Sequence, residues 1–290
     1  MNRFTQWLIA IRPKTLGISL APVLVGTSLA WVEKSHIHWL IALATLTSAL
    51  LIQIGTNLYN DAADFERGAD THERLGPERA TAQGWFTARQ VKNAAYFAFG
   101  MAFIIGIYLA WTGGWPIVIL GLLSLIAGYA YTGGIKPIAY SAYGELFVFI
   151  FFGLVAVNGS YYLQTLTLST NALITAIPIG LMAAAVLLVN NYRDLETDQK
   201  AGKLTLTYYL SSKQAKMLYL LLMLTPFLVP FLLNNLGLGV WLPLLTLPLS
   251  LVLVYKFLNE TVSPIFNNIL ARTAQCQLLY SVFLSVGLIF

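Results

Sequence analysis

Nine of the twelve carboxylates in this sequence fall in two short windows: Asp61, Asp64, Glu66, Asp70, Glu73 and Glu78 in the first, and Asp194, Glu196 and Asp198 in the second. The first reads Asn57-Leu-Tyr-Asn60-Asp61-Ala-Ala-Asp64-Phe-Glu-Arg67-Gly68-Ala-Asp70 and the second Asn190-Asn191-Tyr-Arg193-Asp194-Leu-Glu-Thr-Asp198-Gln-Lys200-Ala-Gly202-Lys203. Each holds an asparagine followed four residues later by an aspartate. On a helix, residues three or four apart stack on one face about 5–6 Å apart, so Asn60 with Asp64, Asn190 with Asp194, and Asp194 with Asp198 form polar rows. Like charges at that spacing repel, and a divalent cation between them relieves the repulsion. Carboxylate and amide oxygens are hard ligands that suit Mg²⁺, an ion that keeps waters and commonly bridges protein acids to substrate phosphates. The spacing therefore predicts metal and phosphate chemistry, with a pair of ordinary solvated loops as the alternative. Arg67, Arg74, Arg79, Arg193, Lys200 and Lys203 stand beside the rows and can neutralise phosphate oxygens, the arginines bidentately. Taken singly, each is also what membrane topology alone places at an inner loop, so the clustering is the signal.

These rows need helices to carry them, and composition says that those helices cross a membrane. Of 290 residues 58% are hydrophobic and only 10% charged, with mean hydropathy +0.71, against about 25% charged in soluble domains. A soluble enzyme is excluded. Apolar runs predict nine spans, at about 15 to 33, 39 to 60, 93 to 112, 115 to 132, 145 to 163, 171 to 191, 216 to 233, 238 to 256 and 273 to 290, each near the ~20 residues that cross ~30 Å of hydrocarbon. The runs are continuous rather than alternating, which favours helices over a transmembrane β-barrel.

With the N-terminus in the cytoplasm, 16 of the 17 basic residues fall inside and only Lys34 outside, which supports both the orientation and the span count. A pI near 9.2 and net charge +5 thus report topology rather than a nucleic-acid partner. The first 14 residues mix Trp7, Leu8 and Ile9 with Arg3, Arg12 and Lys14, which predicts a short interfacial helix and no cleavable targeting segment. The single cysteine, Cys276, reads as packing. No linker or second composition appears, so residues 1–290 are expected to form one all-α, polytopic membrane domain. The two acidic windows close the second and sixth spans, both running from outside to inside. A duplicated helical unit packed face to face would bring the rows to one pocket at the inner surface.

At these residues the sequence resembles the UbiA superfamily of intramembrane prenyltransferases, whose aspartate-rich motifs have the general form Asn-Asp-x-x-Asp and Asp-x-x-x-Asp. Within it the likeness is greatest to the branch acting on 1,4-dihydroxy-2-naphthoate. The stretches that carry it are Arg12-Pro-Lys14-Thr15-Leu16 with Ala21-Pro22-Val23, the first motif with Gly68-x-Asp70, and the loop Gly76-Pro-Glu-Arg79-Ala-Thr-Ala-Gln-Gly84. It continues through Tyr131-Thr-Gly-Gly-Ile-Lys136-Pro137, Gly144-Glu145-Leu-Phe-Val-Phe-Ile-Phe-Phe-Gly153 and Asn190-Asn191-Tyr-Arg193-Asp194 to Lys203. One departure is that a third acid commonly follows the Asp64 position by four residues, whereas Gly68 stands there and Asp70 comes two later.

The resemblance implies nine helices around a central cavity, an allylic polyprenyl diphosphate donor, an aromatic acid acceptor, and Mg²⁺ as cofactor. Metal ligands carried over are Asn60, Asp61, Asp64, Asp70, Asn190, Asp194 and Asp198, with Asp70 reaching the ion directly or through water. Pyrophosphate departs from the allylic carbon, the ring attacks through its carboxylated carbon, and CO₂ is lost. Tyr129, Tyr131, Phe147, Phe149, Phe151 and Phe152 are available to shield the cationic carbon. Lys136 is a candidate for holding the acceptor carboxylate or the diphosphate, and Glu145 for orienting it or taking a phenolic proton. Asn57, Arg67, Arg79, Arg193, Lys203, Arg12 and Lys14 complete the expected substrate contacts. The lipid bilayer accommodates the isoprenoid tail, and the site is expected to face the cytoplasm from the inner membrane. A related enzyme using 4-hydroxybenzoate is the nearest alternative. A CDP-alcohol phosphatidyltransferase wants its acids in one segment, and a divalent-cation transporter wants them at mid-membrane; neither pattern is present.

Overall fold

The protein is described here by a computed structural model, in which residues 1–70, 75–233 and 236–290 are described. Among these every regular element is helical. A short helix, α1 (Arg3–Ala10), opens the chain. It is followed by α2 (Pro13–Lys34), α3 (Trp39–Glu66), α4 (Ala88–Gly113), α5 (Trp115–Ala130), α6 (Gly144–Thr165) and α7 (Thr170–Arg193). Then come a six-residue helix, α8 (Leu195–Lys200), and three further segments, α9 (Ser212–Leu232), α10 (Leu238–Asn259) and α11 (Ile265–Ile289). Eight of these are long and apolar enough to cross a bilayer; α5, with 16 residues, is apolar but shorter. The chain is a multi-pass membrane protein.

Two of the helices extend past the apolar runs at the end that carries the acidic windows. The second span continues from 60 to Glu66, and the last begins at Ile265 rather than 273. Asn267, Asn268 and Arg272 interrupt the hydropathy there without interrupting the helix. The helix continues there because its backbone hydrogen bonds are satisfied within the segment, Asn267 finds partners in the bundle, and Asn268 and Arg272 lie on the exposed face. Punctuation is conventional where water is near: Thr87 with Gln90 and Ser211 with Gln214 form reciprocal capping boxes at the starts of α4 and α9.

Small residues set the helix spacing around the central space. A Cβ on Gly26 of α2 would lie 2.4 Å from the Val157 carbonyl oxygen of α6. One on Gly180 of α7 would lie 2.7 Å from the Phe149 carbonyl oxygen, and one on Gly153 2.8 Å from that of Ala176. Backbones can approach this closely only where side chains are absent. Next to the Gly153–Gly180 crossing, residues Phe149–Val155 of α6 widen into a π-helical stretch. Such a stretch re-aims the residues around it, and Phe147, Phe151 and Phe152 face the cavity here.

Candidate active site

A cavity of about 560 Å³ is enclosed by α2, α3, α5, α6, α7 and α11, with Leu8 and Ile9 of α1 also in its lining. Its membrane-side wall is apolar, from Ile18, Ile52, Ala127, Phe147, Phe151, Phe152, Val186 and Leu270. Its other end is polar, from Arg12, Lys14, Asn60, Asp64, Arg79, Asn190, Arg193 and Lys203. The two windows, about 130 residues apart in sequence, meet there.

The first window lies on the last two turns of α3, so the predicted stacking is realised. Asn60 Nδ2 donates to Asp64 Oδ2 at 2.8 Å, and Asn60 Oδ1 accepts from Arg12 Nη2 at 2.9 Å. Arg12 occupies the turn between α1 and α2 with φ 56°, a left-handed conformation uncommon for a residue with a Cβ, and this brings its guanidinium to the cavity. Asp64 also accepts from the Tyr140 hydroxyl at 3.0 Å and lies 3.4 Å from Arg79 Nη2. One helix position from Asn60, Asp61 points elsewhere. Its Oδ2 accepts from the amide of Ala80 at 2.9 Å, and its Oδ1 from the amide of Thr81 at 2.9 Å and the Thr81 hydroxyl at 2.6 Å.

The second window bends where the first is straight. α7 ends at Arg193, Asp194 caps it with φ −94° and ψ 7°, and α8 starts again at Leu195. The expected row of Asn190, Asp194 and Asp198 is therefore angled rather than one straight face, although the Asp198 amide still donates to the Asp194 carbonyl at 2.8 Å. Arg193 grips Asp194 with two charge-assisted bonds, Nε to Oδ1 at 2.7 Å and Nη2 to Oδ2 at 2.6 Å. Its Nη2 also donates to Asn190 Oδ1 at 2.9 Å and its Nη1 to Asn267 Oδ1 at 2.8 Å. Asp198 pairs with Lys203 Nζ at 3.1 Å. The Asp194 and Asp198 carboxylates sit just behind Arg193 and Lys203, which form the wall itself.

Tyr140 joins the windows. Its hydroxyl is on Asp64, while Lys203 Nζ and the Arg67 guanidinium lie 6.0 Å and 5.3 Å from its ring centroid. The shared field is visible in the titration of these groups. Burial pushes the Asp198 carboxyl up to about 6; Lys203 opposes this, and the charges of Asp194 and Asp64 add to it. For Lys203 burial acts downward, but Asp198, Asp64 and Asp194 together hold its ammonium above the ordinary lysine value. Burial, and then Asp64, raise the Tyr140 phenol, which keeps it a hydrogen-bond donor.

Several expected contacts are relocated. Asp61 is a tether for the 80–81 backbone, not a cavity residue. The Asp70 side chain pairs with Arg79 Nε at 3.5 Å outside the cavity lining. Arg67 is exposed and donates to the carbonyls of Thr132 and Gly134, pinning the loop between α5 and α6 rather than facing a ligand. Lys136 is exposed on that same loop, away from the cavity. Glu145 is buried but directed at Asn191, whose Nδ2 donates to Oε1 at 2.9 Å. Asn57 lines the cavity and is anchored on the Ile11 carbonyl at 3.0 Å. Tyr131, Phe147, Phe151 and Phe152 line the cavity as expected, whereas Tyr129 packs on Tyr59 and Phe149 against the core. Lys200 is not in the lining, and Glu73 and Arg74 lie outside the described residues.

Two residues of the site escape a reading of the sequence: Asn267, in the cavity lining, and Tyr140, outside it but bonded to Asp64. Tyr140 lies in a loop with no periodicity. Asn267 donates to the Leu75 carbonyl at 2.8 Å while accepting from Arg193, so it ties the second window to the loop after the first. Its only sequence trace is an asparagine pair in an otherwise helical pattern.

Among the described residues no three Asp, Glu, His or Cys side chains gather closely enough to hold an ion by themselves. The oxygen donors at the polar end are Asn60, Asp64 and Asn190 in the lining, with Asp194 and Asp198 just behind it on Arg193 and Lys203, a hard set that suits Mg²⁺ completed by water and substrate phosphate. The residues fit a metal shared with a ligand better than a resident, fully protein-bound ion.

The sequence profile of the UbiA prenyltransferase family matches residues 19–263. The chain is 35% identical to the 1,4-dihydroxy-2-naphthoate octaprenyltransferase of Escherichia coli strain K12, over 99% of this chain and 96% of that protein. It is 39% identical to the enzyme of the same name from Bacillus subtilis strain 168, over 70% and 65%. Among solved structures, a UbiA homologue from Archaeoglobus fulgidus bound to GPP and Mg²⁺ superposes with TM-score 0.68 and 15% identity, over 98% of this chain and 99% of that one. The apo structure of a UbiA homologue from Aeropyrum pernix K1 gives TM-score 0.71 at 16% identity, over 96% and 98%. With the profile covering most of the chain and a relative matched from end to end, the protein belongs to the UbiA prenyltransferase family.

Proposed function

We propose that this protein transfers a polyprenyl group from an allylic diphosphate to 1,4-dihydroxy-2-naphthoate, with loss of pyrophosphate and CO₂, giving demethylmenaquinol, the quinol form of demethylmenaquinone. The observation that carries the reading is the meeting of both acidic windows at the polar end of a cavity whose other wall is apolar and aromatic. The names of relatives at 35–39% identity support the acceptor. A long isoprenoid gains roughly 0.8 kcal/mol per buried methylene-sized group by staying apolar, while its diphosphate needs cations, so one site must offer both. Residues 1–290 act as one membrane domain, with the polar end at the cytoplasmic face of the inner membrane.

Arg79, Arg193, Arg12 and Lys203 surround the diphosphate position and supply charge complementary to the leaving group. Asn60, Asp64, Asn190, Asp194 and Asp198 hold Mg²⁺ there. When bound, the ion supplies Lewis-acid stabilisation of the departing pyrophosphate. Phe147, Phe151, Phe152 and Tyr131 line the adjoining space and exclude water from the cationic allylic carbon. The allylic C–O electron pair leaves with pyrophosphate and the ring carbon bearing the carboxylate forms the new C–C bond. The carboxylate then departs as CO₂, returning its bonding pair to the ring. No proton has to be removed from that carbon, in keeping with Glu145 being turned toward Asn191 rather than the cavity.

Purified protein incubated with farnesyl or longer allylic diphosphates, Mg²⁺ and single aromatic acids tests this. Prenylated naphthoquinol and CO₂ are expected from dihydroxynaphthoate. Turnover of 4-hydroxybenzoate without turnover of dihydroxynaphthoate would overturn the acceptor assignment.

A further inference from the structure

An aspartate in a metal-binding motif normally offers its oxygens to the ion. Asp61 does not: it is 1% exposed, and both of its oxygens are already filled by the Ala80 and Thr81 amides and the Thr81 hydroxyl. A carboxylate receiving three donors holds the segment that supplies them, because each donor is buried and has no other acceptor of comparable strength. The residue immediately before those amides is Arg79. Its side chain lines the cavity at 7% exposure, and its Nε and Nη1 have no hydrogen-bond acceptor, although Asp70 and Asp64 lie at ion-pair distance. A buried guanidinium with donors to spare, facing the polar end of the cavity, is ready for an anionic ligand.

The same loop is seated by packing as well as by charge. Ala80 and Phe86 bury themselves with Leu58, Ala62, Ala63 and Val91, and Trp7 of α1 stacks on Phe86 with ring centroids 4.1 Å apart. The second window carries a parallel arrangement. Position 191, one residue after Asn190 as 61 is after Asn60, is also a tether, with Asn191 bonded to Glu145 and its carbonyl accepting from Thr207. Asn60, Asp64 and Asn190 line the cavity and Asp61 does not, while Asn191 is both in the lining and tied to the scaffold.

We infer that Asp61 is a positioning residue that fixes the 79–81 segment so that Arg79 meets the donor's diphosphate, and that it is not a metal ligand. This rests on the prenyl-diphosphate reading, and its test is chosen to stand apart from that reading. Binding of inorganic pyrophosphate in saturating Mg²⁺ is measured by calorimetry on the purified full-length protein, with no acceptor present, for wild type, Asp61→Asn, Thr81→Val, Arg79→Gln and the double variants. Dependence on Mg²⁺ concentration is measured in parallel, with Asp64→Asn as the reference for a lost metal ligand.

Asp61→Asn is expected to weaken pyrophosphate binding by about tenfold or more, the scale of a lost charge-assisted hydrogen bond. Its Mg²⁺ half-saturation should remain within about twofold of wild type. Thr81→Val, which removes one donor and keeps both amides, should weaken pyrophosphate binding by a smaller factor. Neither change should add to the loss already caused by Arg79→Gln, since both act through that side chain. A rise in Mg²⁺ half-saturation like that of Asp64→Asn, or losses that multiply with Arg79→Gln, would overturn the assignment. If Asp61→Asn does not insert, the Thr81→Val and Arg79→Gln cycle decides by the same criterion. Failure of the wild type to prenylate dihydroxynaphthoate would defeat the acceptor reading and leave this binding result untouched.

Discussion

The two acidic windows share the spacing Asn-x-x-x-Asp, yet they neutralise their acids by opposite means. In the first, Asp61 is satisfied by backbone amides, and Asp64 accepts from two uncharged side chains, Asn60 and Tyr140, with Arg79 at the longer distance of 3.4 Å. In the second, each aspartate is held by a cation of its own window, Asp194 by Arg193 and Asp198 by Lys203. Each asparagine carbonyl accepts from an arginine, Asn60 from Arg12 and Asn190 from Arg193, so the windows match at that position and diverge at the acids. The lesson is one of division of labour. The first window presents an acid that a metal can take at little cost, while the second stores cations against its acids. Under the proposed function, a metal that took the acids would free those cations for phosphate oxygens.

This contrast can be broken most severely at its acids. Asp64→Asn and Asp194→Asn should each reduce prenyl transfer by about a thousandfold or more, because both remove charge from the site that stabilises the leaving group. They should differ in stability. Asp194→Asn leaves Arg193 buried and unpaired, a loss of about 3–5 kcal/mol for a broken buried pair, whereas Asp64→Asn replaces an acceptor among mostly neutral partners. Thermal unfolding in detergent should therefore show a clearly lower Tm for Asp194→Asn than for Asp64→Asn; equal values would refute the contrast.

Arg193→Lys keeps the charge but loses the planar fork that serves Asp194, Asn190 and Asn267 at once. A rise in the donor's KM of about ten- to a hundredfold is expected, and kinetics over a donor titration will show whether it occurs. In Asp198 the contrast acquires a pH dependence. Its carboxyl titrates near 6, above the ordinary aspartate value, so below that pH the site carries a proton that Mg²⁺ must displace. Apparent Mg²⁺ affinity should be constant above about pH 7 and fall by roughly tenfold per unit below 6. A flat Mg²⁺ requirement between pH 5 and 7 would remove Asp198 from the metal site. The smallest effect is expected for Tyr140→Phe, which deletes one donor to Asp64. Turnover should drop by about three- to tenfold, the value of one hydrogen bond to a charged group, with a normal unfolding profile.

How much of this was legible in the sequence follows from which interactions are local. Helical spans were readable because hydropathy acts residue by residue. Asn60 with Asp64 was readable because a helix stacks every fourth residue. The separate duty of Asp61 was not, since its partners Ala80 and Thr81 return from a loop whose path no spacing encodes. Arg67 and Lys136 read as phosphate ligands by charge, and the structure puts both on the exposed surface beside the loop joining α5 to α6. Tyr140 and Asn267 were invisible for the converse reason: they matter only through contacts from distant segments. The bend at Asp194 was hidden because nothing in Arg193-Asp194-Leu195 breaks a helix by composition.

The central claim is that both windows form one Mg²⁺-diphosphate site. Calorimetry of inorganic pyrophosphate binding in Mg²⁺ to wild type, Asp64→Asn and Asp198→Asn tests it most directly. One pyrophosphate per chain should bind to the wild type, and either substitution alone should weaken that single event and raise the Mg²⁺ concentration it requires. Unchanged affinity and Mg²⁺ dependence in one variant, or two independent events each weakened separately, would contradict it.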